Sequence, residues 1–532
     1  MSFRSPYHET PSEGSFNREF SDAEKGQHDT SRVALAPMSK VYASDKVNGH
    51  LTAFPPAHDG NMSSATQSTS SFHNYSKSDS SLPILPKKKI PPPPPPKKQE
   101  PRKSTLFVLW FNTYKRLFVF VVTLNLVGIV LTSVGQFQYA QDNLGSMVLG
   151  NLLFAILMRN ELFFRILYMA FIYGLRSWAS LRMKLMAASF LQHVGGVHSG
   201  CALSGTAWLV YYIVQILSHR SIREPAVLIS GIVTVVFIIT SVVSALPWVR
   251  NNHHNIFERY HRFAGWLGLA ATWSFVVLIS DNHRKHLVYH LHDHLVRLPI
   301  LTTIWKRLAS DIAFFRIALP WVTIRQVPVE VEIPSSKVAV LRFNRGMQQG
   351  LLGRIGRSAL MEYHAFGIIS EGRHSPYHYM VCGVQGDFTK SLVANPPTKI
   401  WTRELKFAGI GHASAMFKRG IRVCTGTGIG AALSTCIQSK NWFLIWIGSD
   451  QYNTFGSTIS RLIHDNIEPD RMILWDTKER GGRPDTMQLL RDTWNNFGAE
   501  VIFITSNMKG NDEMMQGCRE EGMHAFGTLW DF

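Results

Sequence analysis

Residues 421–432 read Ile421-Arg-Val-Cys-Thr-Gly426-Thr-Gly428-Ile-Gly430-Ala-Ala. An apolar strand runs into closely spaced glycines, and a helix begins after them. Small residues let a backbone approach a pyrophosphate, and the helix N-terminus offers it unpaired N–H groups. The same glycines would also serve an ordinary structural turn, so the stretch alone leaves both readings open. The next apolar run, Trp442-Phe-Leu-Ile-Trp-Ile, ends at Gly448-Ser449-Asp450. In dinucleotide folds that strand tip meets the adenosine ribose, where a carboxylate bonds the hydroxyls and repels a 2′-phosphate. Asp450 therefore points toward NADH over NADPH, or is a solvated loop acid. Strand, glycine turn and helix recur through 416–532, which predicts an α/β nucleotide-binding domain with contacts at Gly426, Thr427, Gly428, Gly430 and Asp450.

Upstream the period changes. Val329-Glu-Val-Glu and Val338-Ala-Val-Leu-Arg-Phe alternate like strands of half-buried sheets, and a β-rich domain is expected over 326–415. Before it lie apolar runs long enough to span a bilayer. They cover Leu117 to Gly135, Ser146 to Met158, Leu203 to Leu217, Ala226 to Trp248 and Phe263 to Ile279. A weaker run from Leu295 to Ile324 is interrupted by Lys306, Arg307 and Asp311. The run Leu162 to Gly174 contains Arg165 and reads as interfacial, or as the continuation of a tilted helix. The expectation is a membrane bundle of about six helices over 105–325. Basic residues before the first run place the N-terminus in the cytosol, and six crossings return the C-terminal module there. The membrane itself, plasma or internal, stays open.

The chain has 532 residues, 55 Lys plus Arg against 37 Asp plus Glu, and a formal net charge of +18. Mean hydropathy is −0.01, an average over a polar start, an apolar middle and a globular remainder. Much of the basic density flanks apolar segments: Lys87 to Lys89, Lys97, Lys98, Arg102, Lys103, Lys115 and Arg116. Charge in that position fits anionic lipid rather than nucleic acid. Residues 1–104 are too polar to bury a core and are expected to be disordered. The run Pro91 to Pro96 predicts a polyproline II rod, either a spacer or a ligand for an SH3-type partner. Five cysteines without a CxxC pair exclude a disulfide framework and a structural zinc site. His283, His286, His290, His292 and His294 suit either a metal or an interfacial loop.

Three further segments precede the glycine turn in a fixed order. They are Glu362-Tyr363-His364-Ala365-Phe366-Gly367-Ile368, then Gly386-Asp387-Phe388-Thr389-Lys390-Ser391-Leu392, then Phe407-Ala408-Gly409-Ile410-Gly411-His412-Ala413-Ser414. Together with Gly481-Gly482-Arg483-Pro484-Asp485 they resemble the ferredoxin-NADP reductase superfamily, in its branch of ferric reductases and NADPH oxidases. His364-Ala365-Phe366 looks like the branch's His-Pro-Phe flavin motif, with Ala365 for proline. Phe388-Thr389 resembles its aromatic-Thr segment near the flavin phosphates. Gly409 to Ser414 resembles its Gly-Pro-Phe-Gly-Thr-Ala-Ser turn. Arg483-Pro484 resembles its nicotinamide-side loop, and Phe532 its terminal aromatic that stacks on the isoalloxazine. The resemblance implies FAD in a β-barrel domain over 326–415, and NADH or NADPH on the domain that follows. It departs at Ser506, which stands near the hydride-transfer point where the family has Cys-Gly-Pro.

The family's membrane helices each carry two histidines about thirteen residues apart, and together these hold two haems. Here His198 (or His193) and His261 match one pair, while Tyr211, Tyr212, Ser274 and Phe275 occupy the other positions. The resemblance implies at most one haem b, with His198 and His261 as its axial ligands. The combination is closest to the fungal TmpA family of membrane flavoproteins, whose relatives are linked to asexual sporulation signalling. Similar membrane modules occur fused to acyl-adenylating proteins. Three functions compete: an NAD(P)H-oxidising FAD enzyme acting through Ser506 and Phe532, a non-catalytic flavin- or nucleotide-binding membrane regulator, and a transmembrane ferric reductase or superoxide-producing oxidase.

Overall fold

A computed structural model describes residues 102–219, 225–290, 322–359 and 362–529. The polyproline run, His292, His294 and Phe532 lie outside the described residues, as does nearly all of the run from Leu295 to Ile324. A short helix, α1 (Lys103–Trp110), leads to α2 (Thr113–Ser133), whose start is set by Asn112: its side chain accepts the Lys115 N–H at 3.1 Å. Then come α3 (Gln138–Asp142), α4 (Leu144–Leu157), α5 (Glu161–Leu175), α6 (Leu181–His193), α7 (Gly195–His219), α8 (Pro225–Ser244), α9 (Pro247–Asn252) and α10 (His254–His290).

Among the described residues four helical stretches are long and apolar enough to cross a membrane: Thr113–Ser133, Gly195–Ser218, Pro225–Ser244 and Ile256–Ile279. Helices α4 and α5 form a pair bent by 75°, a fifth candidate if counted as one span. The run expected to lie interfacially, Leu162 to Gly174, is the second arm of that bend. It packs Tyr168 and Ile172 into the core of the following module. The bundle is held by close backbone approach and by shared polar groups. A Cβ on Gly196 of α7 would stand 2.2 Å from the Tyr114 carbonyl oxygen, so the glycine lets α7 lie against α2. Asn125 Oδ1 accepts from Asn151 Nδ2 and from Trp208 Nε1, both at 2.9 Å, joining α2, α4 and α7. The opposite faces expose Phe120, Leu124, Ile229 and Val236.

The β-rich part contains β1 (Ile324–Pro328), β2 (Glu330–Ser335), β3 (Val338–Asn344), β4 (Leu351–Gly356), β5 (His364–Gly367), β6 (Tyr377–Gly383), helix α11 (Asp387–Ala394), β7 (Lys399–Arg403) and β8 (Phe407–Ala408). These strands pair antiparallel in two sheets, β1-β7-β4-β5 with β8 on β4, and β2-β3-β6. Leu341, Met380 and Cys382 of one sheet meet Ile355 and Ile400 of the other and Leu392 of α11 in one core. The two antiparallel sheets are linked along two seams. The chain passes between sheets at Pro328-Val329, where proline lacks a ladder donor, and a single bridge, Ile369 to Tyr379, joins the opposite seam.

A 3₁₀ turn (Ile410–Met416) opens the last part. It is followed by β9 (Gly420–Thr425), α12 (Ile429–Gln438), β10 (Trp442–Gly448), α13 (Gln451–Asn466), β11 (Met472–Asp476), α14 (Thr486–Phe497), β12 (Val501–Thr505), α15 (Met508–Glu520) and β13 (Ala525–Phe526). The sheet is parallel in the order β11-β10-β9-β12-β13. Every residue of β10 is buried, as a central strand covered by helices on both faces requires. Overall, a helical N-terminal region rich in apolar helices is followed by sheets, as the sequence predicts.

Candidate functional site

The parallel sheet reverses its order between β9 and β12, and in open α/β sheets ligands bind outside the strand ends at such a point. The Gly426-Thr427-Gly428 turn stands there. Gly426 has φ +50° and open space around it, and its carbonyl accepts Trp446 Nε1 at 3.0 Å. Gly428 has no such room: a Cβ would lie 2.5 Å from the Thr505 carbonyl oxygen. Ser506 follows β12, and its Oγ lies 2.8 Å from Thr425 Oγ1 at the end of β9. Both hydroxyls therefore stand at the carboxyl ends of β9 and β12, at the switch point.

The β-rich part closes on this turn. A Cβ on Gly383, at the end of β6, would stand 2.9 Å from Thr427 Cγ2, and one on Gly367, in β5, would stand 2.5 Å from the Ala431 Cα. The glycine turn thus lies against the strands that carry His364 and Phe366. The His364 ring stacks on Phe388 with centroids 4.3 Å apart and 20° between planes, and Phe366 lies 6.3 Å from the same ring. His364 Nε2 is 3.3 Å from Glu362 Oε2. These three aromatics form one cluster beside the N-terminus of α11, where Gly386 has open space.

Three further segments expected at the site also serve the fold. Thr389 is buried, and its Oγ1 accepts from the Gln385 and Gly386 N–H groups at 3.0 and 3.2 Å. It also donates to the Gly386 carbonyl at 3.1 Å, so the hydroxyl caps the N-terminus of its own helix. The Gly409 to Ser414 turn is a docking element. His412, Ala413 and Ser414 are buried, and the His412 ring stands 6.4 Å from Tyr168 of α5. A Cβ on Gly409 would meet Leu352 Cδ1 at 2.4 Å, and one on Gly411 would stand 3.4 Å from the Gly350 Cα, so both glycines serve packing. The Gly481-Gly482-Arg483-Pro484 loop leaves β11, at the far edge of the sheet from Ser506. Trp475 Nε1 of β11 donates to its Gly482 carbonyl at 2.9 Å.

Asp450 has left-handed backbone geometry, φ 53°. Its Oδ2 pairs with Lys478 Nζ at 2.5 Å and its Oδ1 accepts from Asn453 Nδ2 at 2.6 Å. These bonds hold its carboxyl below the usual range. Asp476 ties the two strand tips together. Its carboxylate accepts the N–H groups of Asp450, Gln451 and Lys478 at 2.9, 2.7 and 2.8 Å. Sequence reasoning missed Asp476, Lys478, Thr425 and Arg422. Arg422 is fully buried in β9, donates to the Ala431 carbonyl, and lies over the Phe503 ring. An arginine inside an otherwise apolar strand was the available signal.

In the bundle the structure brings two candidate ligands together. The His198 and His261 rings have centroids 6.4 Å apart. His198 Nδ1 is 2.8 Å from the Ala155 carbonyl, and His261 Nδ1 is 3.0 Å from that of Ser241. His193 turns to its own helix, with Nδ1 2.7 Å from the Ser189 carbonyl. At the positions of the second pair, Tyr211 packs on Trp208 and Tyr212 on Phe275. Among the described residues no group of three or more His, Cys, Asp or Glu is placed to hold a metal ion.

The family described as Adenylate-forming reductase 03009, C-terminal domain, matches residues 410–532. The chain is 29% identical over 437 residues to adenylate-forming reductase 06235 of Coprinopsis cinerea, covering 79% of this chain and 40% of that protein. It is 28% identical over 431 residues to adenylate-forming reductase 03009 of the same organism, again covering 79% of this chain and 40% of the relative. The chain thus spans 40% of the length of these relatives. Among solved structures, phthalate dioxygenase reductase shares 10% identity at a TM-score of 0.30, over 38% of this chain and 68% of that one. The ferredoxin reductase of carbazole 1,9a-dioxygenase shares 11% identity at 0.28, over 39% and 66%. Likenesses this slight carry no argument.

Proposed function

We propose that this chain is a membrane-bound, FAD-dependent oxidoreductase that takes electrons from NAD(P)H, a TmpA-like reductase module on a helical membrane domain. The observation that carries the reading is the convergence at one cleft. The Gly426 to Gly430 turn, at the switch point of a parallel sheet, packs against the strands that bear His364 and Phe366. The residues present fit a flavin beside a dinucleotide: an aromatic cluster with open space at Gly386, and a glycine turn with open space at Gly426. His364, Phe366 and Phe388 would edge the flavin ring, and backbone N–H groups at the start of α11 would hold its phosphates. When bound, FAD supplies the hydride-accepting and electron-passing chemistry. The chain orients the nicotinamide through Gly426, Thr427, Gly428 and Gly430 and presents the Ser506–Thr425 hydroxyl pair at the reacting end.

Four long apolar helices with exposed apolar faces support the membrane placement. Helix α1, which precedes the first of them, contacts α15, and Gln192 at the end of α6 donates to the Gly527 carbonyl at 2.5 Å. These contacts support a topology with the N-terminal end of α2 and the reductase module on the same side, the cytosolic one in this reading. A single haem would be held by His198 and His261, whose ring centroids are 6.4 Å apart. Each Nδ1 is engaged by a backbone carbonyl, which leaves Nε2 for iron, the usual arrangement for a ligating imidazole. The sensor reading keeps one argument, the hydroxyl of Ser506 where a thiol is expected.

The test is the visible spectrum of the detergent-solubilised protein before and after anaerobic NADH or NADPH. Bleaching of a band near ~450 nm is the expected result, with a sharp Soret band lost in His198→Ala if one haem is held. A flavin band that does not bleach would replace the enzyme reading with the sensor reading, and no flavin at all would refute both.

A further inference from the structure

Away from the glycine turn, a hollow of about 300 Å³ opens between the second half of α14 and the starts of β10 and β11. It lies at the amino ends of these strands, opposite the end where the dinucleotide is read. Phe443, Ile473 and Phe497 form its apolar floor, and the Phe443 and Phe497 rings meet edge-on with centroids 5.4 Å apart. Asp470, Asp492 and Asn496 stand exposed around it. The Asp492 carboxylate accepts from the neutral Gln488 amide at 2.9 and 3.0 Å, and the adjacent Arg491 turns to Glu521, 2.6 Å away. Neither Asp470 nor Asp492 has an ion-pair partner among the described residues. The hollow is therefore apolar below and negative at its rim.

The chain before Arg102 starts close by. Helix α1 begins at Lys103 and contacts α15. Helix α15 packs on α14, where a Cβ on Gly517 would meet Met487 Sδ at 2.5 Å. Packed helices lie about 8–10 Å apart, so the hollow is on the far flank of the next helix over. The preceding sequence reads Lys87-Lys-Lys-Ile-Pro91-Pro-Pro-Pro-Pro-Pro96-Lys-Lys98-Gln-Glu-Pro-Arg102. At about 3.1 Å per residue in polyproline II, Pro96 to Pro91 reach as far as ~19 to ~34 Å from Arg102, enough to cross α14.

We propose that this hollow is the docking site of the chain's own proline–lysine segment, Lys87 to Lys98. Proline-rich segments dock on aromatic-lined grooves because a polyproline II helix is already ordered before it binds. Proline has no N–H, so the run presents only carbonyl acceptors, for which the Asn496 amide supplies donors. Lysines on both flanks supply the cations that Asp470 and Asp492 lack. The docked segment straps the N-terminal end across the outer face of the module and leaves the nucleotide cleft clear.

Binding of a fluorescein-labelled peptide of residues 87–98 to the full-length solubilised protein, read by anisotropy, tests this. The parent is compared with a full-length variant carrying Pro91→Ser through Pro96→Ser, whose own segment no longer fits. With a tethered segment at an effective concentration of about 1 mM, a peptide of about 0.1 mM Kd should bind roughly tenfold more weakly to the parent than to the variant. Adding Asp470→Lys and Asp492→Lys to the variant should abolish that binding, and a peptide with Lys97→Glu and Lys98→Glu should restore it. Equal binding by parent and variant overturns the proposal, as does no binding by either, which would leave the proline run to a partner in trans. Binding undiminished by the two charge reversals, or lost without rescue by the reversed peptide, overturns it as well. Neither flavin nor nicotinamide enters the assay, so its outcome is independent of the reductase reading.

Discussion

Replacing Glu161 by glutamine keeps the side chain's shape and removes the one negative charge between two arginines. Glu161 begins α5 and is 5% exposed. Its Oε1 accepts from Arg354 Nε of β4 at 2.5 Å and from Arg403 Nη1 of β7 at 3.0 Å. Loss of one partner of a buried ion pair costs about 3–5 kcal/mol, because the remaining charges stay out of water. The Arg354 side chain is 35% exposed and Arg403 17%, so solvent screens part of the loss and the lower end, about 3 kcal/mol, is expected. That is roughly a hundredfold in the equilibrium between docked and undocked forms. A chain of this size does not unfold in one step, so the effect is best measured locally, by amide hydrogen exchange. Exchange should accelerate in β4, in β7 and in the first turn of α5, and stay unchanged in β9, β10 and β12. Adding Arg403→Gln to Glu161→Gln should cost little more, since the two changes remove one interaction. Uniform acceleration across both sheets, or none at β4 and β7, would refute the idea that Glu161 pins the helices to the β-rich part.

Gly428→Val should abolish nicotinamide nucleotide binding, because its Cβ meets the Thr505 carbonyl at 2.5 Å. Gly426→Ala meets no atom within 4 Å and should cost only about 1–2 kcal/mol for its left-handed backbone. Calorimetric titration with each variant checks the contrast. Burial holds the Lys406 ammonium down to about 8, with Nζ donating to Thr402 Oγ1 at 2.7 Å and to the Arg403 carbonyl at 2.8 Å. Between that value and the ordinary lysine range the unfolded chain binds more protons than the folded one, so stability rises with pH there, by on the order of 2–3 kcal/mol. Hydrogen exchange of β7 from pH 8 to 10, corrected for intrinsic rate, should show the rise in the parent and lose it in Lys406→Met.

The sequence by itself determined the parts whose signal is local. Apolar runs gave the long helices α2, α7, α8 and α10, because hydropathy along one helix needs no partner to be read. The strand, glycine turn and helix at 421–432 appeared as β9, the Gly426 turn and α12 for the same reason. His198 and His261 were legible as a pair through the family resemblance of the two segments that carry them. Tertiary structure decided what each polar group faces. Thr389 looks like a phosphate ligand along the chain, and the fold adds that its hydroxyl bonds the N–H groups opening its own helix. Gly409 to Ser414 looks like part of a flavin site, and the fold adds that its His412 stands beside Tyr168 of α5. Asp450 reads as a free carboxylate until β11 brings Lys478 to it from 28 residues away. Glu161 meets arginines 193 and 242 residues downstream. A side chain's charge and donors are fixed by its chemistry, but whether they are available to a ligand depends on partners that only the folded chain assembles.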